Sequence, residues 1–153
     1  MPNRQPELAN NEIYHIVSRG VSDALIFKNE VDYYRAIFSL YELNTNRPVV
    51  MREQRKKRIR KIRERVSDNL IELLAFCFMP NHIHLLIRQI QENGITKFMR
   101  KFGVSYASYF NKKYNRQGYL FQGRFRAVHI KTNEQLMTVF VYIHTNGISL
   151  IEP

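Results

Sequence analysis

The chain has 153 residues, 44% of them hydrophobic, which suits one compact domain with a real core and leaves no room for a second of ordinary size. Its 24 Lys and Arg against 13 Asp and Glu leave a formal charge of +11, pointing to a polyanionic partner and to nucleic acid ahead of a membrane surface. No apolar run approaches the roughly 20 residues that span a bilayer, the N-terminal MPNRQPELANNE is polar where a signal peptide is apolar, and the one cysteine, Cys77, has no disulfide partner, so a cytoplasmic protein with a buried thiol is expected.

Residues 12–19 (EIYHIVSR) alternate as a strand, with Ile13, His15 and Val17 on one face and Tyr14, Ile16 and Ser18 on the other, and Gly20 ends it. Asn29 with Asp32 three residues on is an acceptable helix start, and Tyr34, Ile37, Phe38 and Tyr41 then recur at helical spacing to about Asn44. Residues 52–65 (REQRKKRIRKIRER) hold nine basic and two acidic residues, a net +7. Ile59, Ile62 and Val66 give this run one thin apolar stripe, as in a surface helix, either merely solvated or in contact with nucleic acid. The size of the local excess favours contact.

Two apolar segments, LIELLAFCFM (70–79) and HIHLLIRQ (82–89), flank Pro80-Asn81 and read as a hairpin of buried strands. From Ile95 the period changes: Ile95, Phe98, Met99, Phe102, Tyr106, Tyr109 and Phe110 form a helical seam to about Tyr114, with Lys97, Arg100, Lys101, Lys112 and Lys113 largely off it. A strand is expected over residues 120–132 (LFQGRFRAVHIKT), with Arg124 and Arg126 on one face and Phe121 and Phe125 on the other. Thr132 and Gln135 form a capping-box signature for a last helix that stops near Asn146-Gly147. Antiparallel strands interleaved with helices in this order imply an α+β sandwich of the ferredoxin-like kind, a single domain over 1–153 with a basic helical insertion at about 48–68.

His82 and His84 are the sharpest chemical feature, because residues two apart on a strand share a face and two imidazoles can then reach one cation. Two histidines that only pack or hydrogen-bond would look the same. In the last helix Tyr142 and Asn146 are one turn apart, so a hydroxyl and a potential amide ligand share a face; equally, Tyr142 packs on the sheet and Asn146 caps the helix. A zinc hydrolase built from His82, His84 and either His129 or His144 is a further alternative.

Four stretches, YHIVSRG (14–20), FMPNHIHLLI (78–87), YLFQGRF (119–125) and VYIHTN (141–146), occur in the order found in bacterial HUH transposases. From about Ile13 to Asn146 the chain resembles the small insertion-sequence transposases and the REP-associated tyrosine transposases. The resemblance implies an HUH nuclease fold, His82 and His84 as the paired metal-ligating histidines, Asn146 as the polar third ligand, and Tyr142 as the nucleophile. It implies Mg²⁺ or Mn²⁺ as cofactor, a 5′-phosphotyrosine intermediate, and cleavage and joining of single-stranded DNA beside a hairpin, by a monomer or a homodimer. A domesticated hairpin-binding protein that no longer cuts is the alternative of another class. Arg19, Arg100, Lys101, Arg124 and Arg126, with Arg55, Lys56, Arg58 and Arg60 in the basic run, are the candidate DNA contacts. The chain departs from many relatives in having Gly147 where they have proline, and in the basic insertion.

Overall fold

The computed structural model describes residues 5–49, 51 and 68–148. The basic run, and with it Arg55, Lys56, Arg58 and Arg60, lies outside the described residues.

Strand β1 (Ile13–Arg19) leads through a short 3₁₀ turn into helix α1 (Glu30–Glu42), where the Asn29 side chain accepts from the Asp32 N–H as the cap. Strands β2 (Ile71–Met79) and β3 (His82–Gln89) form the expected hairpin, with Met79 paired to His82 across Pro80-Asn81. Helix α2 (Gly94–Lys113), strand β4 (Arg126–Ile130) and helix α3 (Asn133–Ile148) complete the chain. The capping box is formed: Gln135 N–H donates to Thr132 Oγ1 at 3.1 Å, and Thr132 N–H to Gln135 Oε1 at 3.3 Å. The four strands are ordered β2-β3-β1-β4 and every pairing is antiparallel, which is the ferredoxin-like α+β arrangement.

Alternation along the strands divides the apolar residues between two faces. Tyr14, Ile16, Ile83, Leu85 and Ile87 pack against Ala36 and Leu40 of α1 and Phe98, Phe102, Tyr106 and Phe110 of α2 in the main core. Ala75, Cys77, Leu86 and Ile130 face the other way and meet Ile143 of α3 in a much smaller cluster. Helix α3 thus lies alone over β2 and β3.

The expected insertion leaves from a well-tied root. The Asn44 side chain pairs with both backbone groups of Ile71, donating at 2.8 Å and accepting at 3.0 Å, while Asp68 accepts from Thr45 Oγ1 and Arg47 Nε, each at 3.0 Å.

One expected strand is shorter than its pattern. Residues 120–125 do not extend β4; Gly123 takes a left-handed φ of 58°, and Phe121 makes only an isolated bridge to Gly20. Gln122 N–H caps the end of β1 by donating to Arg19 O at 2.7 Å. A left-handed residue cannot continue a strand, so Arg124 and Arg126 do not share a strand face.

Candidate functional site

β3 begins at the hairpin turn, so His82 and His84 project from its first residues onto the α3 face, with ring centroids 4.8 Å apart. Tyr142 of α3 meets them edge-on, its ring 5.6 Å from that of His84 at 88°. His82 and His84 thus share one face of β3, as residues two apart on a strand do, and the ring of Tyr142 packs against that face. Asn146 follows one helical turn after Tyr142 and is half-buried.

A fourth group completes the cluster. His15 of β1 lies on the same face, its Nε2 3.0 Å from His84 Nδ1, and its ring 6.5 Å from that of Tyr142. Sequence reasoning placed His15 on the correct strand face but gave it no role. Alternation gives its face, but only the strand order, with β1 beside β3, puts that face next to His84.

The imidazoles are poised to bind a cation rather than to carry charge. Burial lowers the pKa of His84 to about 4, with the neighbouring His15, His82 and Arg19 adding to the shift. His82 is lowered by burial and then by the Arg19 charge, partly offset by Asp23, and His15 by burial. Neutral imidazole is the ligand form. The Nε2 of His84 is buried without a hydrogen-bond partner among the described residues. Buried polar atoms are rarely left so, and the orphan is explained if the atom is a ligand. At His82 the Asn81 Oδ1 stands 2.7 Å from Nδ1, so Nδ1 donates and Nε2 keeps its lone pair. A ligating Nε2 on His84 likewise puts the proton on Nδ1, where it donates to His15. The two imidazoles fit a divalent metal, and each has a hydrogen bond at Nδ1 that would set its tautomer if it were a ligand.

No three His, Cys, Asp or Glu side chains cluster as metal ligands among the described residues. His129 accordingly does not join the pair: it hydrogen-bonds Glu12 at 2.9 Å and stacks on Tyr14, on the opposite face of the sheet. His144 is exposed, with Nδ1 donating to Phe140 O. Among other residue types, Asn146, one helical turn from Tyr142, could supply an amide oxygen.

The candidate DNA contacts divide. Arg19 faces His82 across the β1–β3 register and is exposed, with a long 3.9 Å ion pair to Asp23 as its one ion pair among the described residues. Arg126 pairs with Val17 in the sheet and is exposed on the same face as His15. Arg124 lies before the strand and turns towards α2, where, with the exposed Arg100, it lines a cavity. Lys101 donates through Nζ to the backbone carbonyls of Thr45 and Arg47, so it secures the segment that follows α1. No described helix is long and apolar enough to cross a membrane.

Comparison with known proteins adds the family. In overall fold the chain is similar to a REP-associated tyrosine transposase solved bound to a REP hairpin, with a TM-score of 0.63 at 12% identity over 97% of this chain and 74% of that one. A protein from Deinococcus radiodurans R1 assigned as a transposase gives 0.51 at 14% identity, over 95% of this chain and 97% of that one. At such identities the likeness is one of fold. No curated protein matches by sequence. The model of the family described as IS200-like transposases matches residues 32–146, a stretch that includes both paired histidines, Tyr142 and Asn146, and the chain belongs to that family of DNA-transposition enzymes.

Proposed function

We propose that the protein is a metal-dependent endonuclease and strand transferase for single-stranded DNA, cutting next to a hairpin through a covalent bond between Tyr142 and the 5′-phosphate. The observation that carries this reading is the Tyr142 ring lying 5.6 Å from His84, whose buried Nε2 has no partner among the described residues. The relative solved with a REP hairpin supports hairpin DNA as the partner.

His82, His84 and the Asn146 amide oxygen would hold Mg²⁺ or Mn²⁺, with His15 keeping the His84 ring in its tautomer. When bound, the metal supplies Lewis-acid polarisation of the scissile phosphate, and imidazole ligands suit Mn²⁺ better than Mg²⁺. A phenol is mostly protonated at neutral pH and is a weak nucleophile without such help. Tyr142 Oη forms a bond to phosphorus as the bond to the 3′-oxygen breaks; the phenolic proton passes to solvent and the leaving 3′-oxygen takes one up. Arg19 and Arg126 bring positive charge to this face and would hold the flanking phosphates. Because the phosphotyrosine bond conserves the energy of the phosphodiester, another 3′-hydroxyl can attack it and release Tyr142, so that strands are joined without ATP. Tyr142 is 48% exposed, as a group that must meet a DNA backbone has to be.

The test mixes hairpin DNA carrying unpaired flanks with Mn²⁺ or Mg²⁺ and either the native protein or Tyr142→Phe. The native protein should give a denaturation-resistant adduct on the 5′-phosphate side of the break. Tyr142→Phe should give none while folding and binding DNA, since it loses at most one hydrogen bond of about 1 kcal/mol. An adduct that persists in Tyr142→Phe overturns the assignment, and tight hairpin binding with no adduct from the native protein would make it a binding protein.

A further inference from the structure

Helix α2 contains a glycine that no packing among the described residues explains. Gly103 sits in the interior of the helix, where glycine is destabilising relative to alanine, yet a Cβ built on it would meet no atom of the described residues within 4 Å. Close packing is therefore not what requires glycine there. The space above it is part of a cavity of about 240 Å³ lined also by Ser18, Met99, Phe121, Gly123 and Phe125, with Arg100 and Arg124 at its exposed edge. Gly123, which its left-handed φ already favours as glycine, likewise has no described atom within 4 Å of where a Cβ would lie. Two glycines on separate elements thus line one volume and place no side chain in it.

We infer that this cavity takes one unpaired base of the DNA, stacked against Phe121 and Phe125 with the adjoining phosphates against Arg100 and Arg124. The inference rests on the DNA-cleaving reading above and adds to it a base-reading pocket separate from the metal-binding pair. Size selects the ligand: the cavity is smaller than the roughly 300 Å³ at which drug-sized sites begin, so it suits a single planar ring system and not a longer stretch of strand. Its chemistry agrees. The walls are aromatic and thioether carbon, the edge carries two cations, and the hydroxyls of Ser18 and Thr96 line it without hydrogen-bonding another described residue. Aromatic walls with a basic edge are how single strands are held, and free hydroxyls at the wall can discriminate one base from another. The location also agrees, because Ser18 immediately precedes Arg19 on β1, so the pocket and His82 lie at the same end of the sheet, one strand layer apart.

The experiment measures binding of the full chain to a DNA hairpin with mixed-sequence unpaired flanks, replacing each unpaired base in turn with an abasic site. For the native protein one position should lose about tenfold or more in affinity, the others little. Gly103→Leu, which fills the cavity, should lose a comparable factor with intact DNA and show no further loss at that position. A flat abasic profile in the native protein overturns the pocket even if Gly103→Leu does not fold, and so does an abasic profile that Gly103→Leu leaves unchanged. If the native protein binds no hairpin at all, the DNA reading fails and the pocket with it; tight binding with a flat profile removes the pocket alone.

Discussion

On the α1/α2 face of the sheet, Tyr14, Ile16, Ile83, Leu85 and Ile87 lie under Phe98, Phe102, Tyr106 and Phe110, and none of these side chains is more than 1% exposed. On the α3 face the buried apolar cluster is Ala75, Cys77, Leu86, Ile130 and Ile143, and beside it stand three imidazoles and a half-exposed tyrosine. Consecutive residues serve the two faces: Tyr14 is core and His15 is site, Ile83 is core and His84 is site. One layer of strands therefore supports a packed side that supplies stability and a thinly covered side where, in the function proposed above, a metal and a DNA strand would meet the imidazoles and Tyr142. The period of two lets the same strands build the core on one side and, on the other, set the buried His84 beside the half-exposed Tyr142.

The largest stability effects should come from the packed face. Phe98→Ala is expected to cost about 3–5 kcal/mol, a large share of what a domain of this size possesses. Leu136→Ala, on the half-buried inner side of α3, should cost less than about 2 kcal/mol. Urea unfolding of both variants checks the ratio, and equal costs would erase the proposed division of labour.

Asp32 sharpens the same contrast from within the packed layer. It is buried at the start of α1 and accepts from the Lys28 N–H, Tyr109, Lys113 and Tyr114 at 2.6–2.8 Å, joining α1 to the end of α2. Burial alone would raise its pKa, but the hydrogen bonds from Lys113, Tyr114, the Lys28 N–H and Tyr109 outweigh it and hold the carboxyl at about 2. Because the folded pKa lies below the unfolded one, this stabilisation is complete above about pH 4 and is lost as pH falls towards 2. Asp32→Asn should cost roughly 2 kcal/mol at neutral pH, the scale of hydrogen bonds to a charged group. It should also flatten the acid limb of a stability-against-pH profile; an unchanged limb would show that Asp32 is not the group responsible.

Much of this was legible in the sequence, because strand alternation, the helical seam of α2 and the capping box at Thr132 are local patterns with local causes. The pairing of His82 with His84 belongs to the same class. Their meeting with Tyr142 followed from the resemblance and not from spacing, since no period relates β3 to α3. Two features escaped for a physical reason. Gly123 breaks the expected strand because its left-handed φ depends on the loop closing over the end of β1, which separates Arg124 from Arg126. His15 escaped because a hydrogen bond between neighbouring strands depends on sheet order, and nothing local to residues 12–19 states that β1 lies beside β3.

His15 also supplies the subtlest break of the comparison. Its removal leaves the packed face untouched, so His15→Ala should change the urea midpoint little, in contrast to Phe98→Ala. What it removes is the partner 3.0 Å from His84 Nδ1, the atom whose proton determines whether Nε2 presents a lone pair. Loss of such an outer hydrogen bond to a ligating histidine typically weakens metal binding about 10–100-fold. Calorimetric titration of the native protein and His15→Ala with Mn²⁺ measures this without relying on cleavage. A side chain able to accept the same bond, as in His15→Gln, should recover part of the loss, whereas a role in packing alone would give equal affinities for native protein and both variants. Unchanged Mn²⁺ affinity in His15→Ala would mean that the third imidazole merely fills the face it stands on, and that the ligand pair is oriented by Asn81 and the sheet alone.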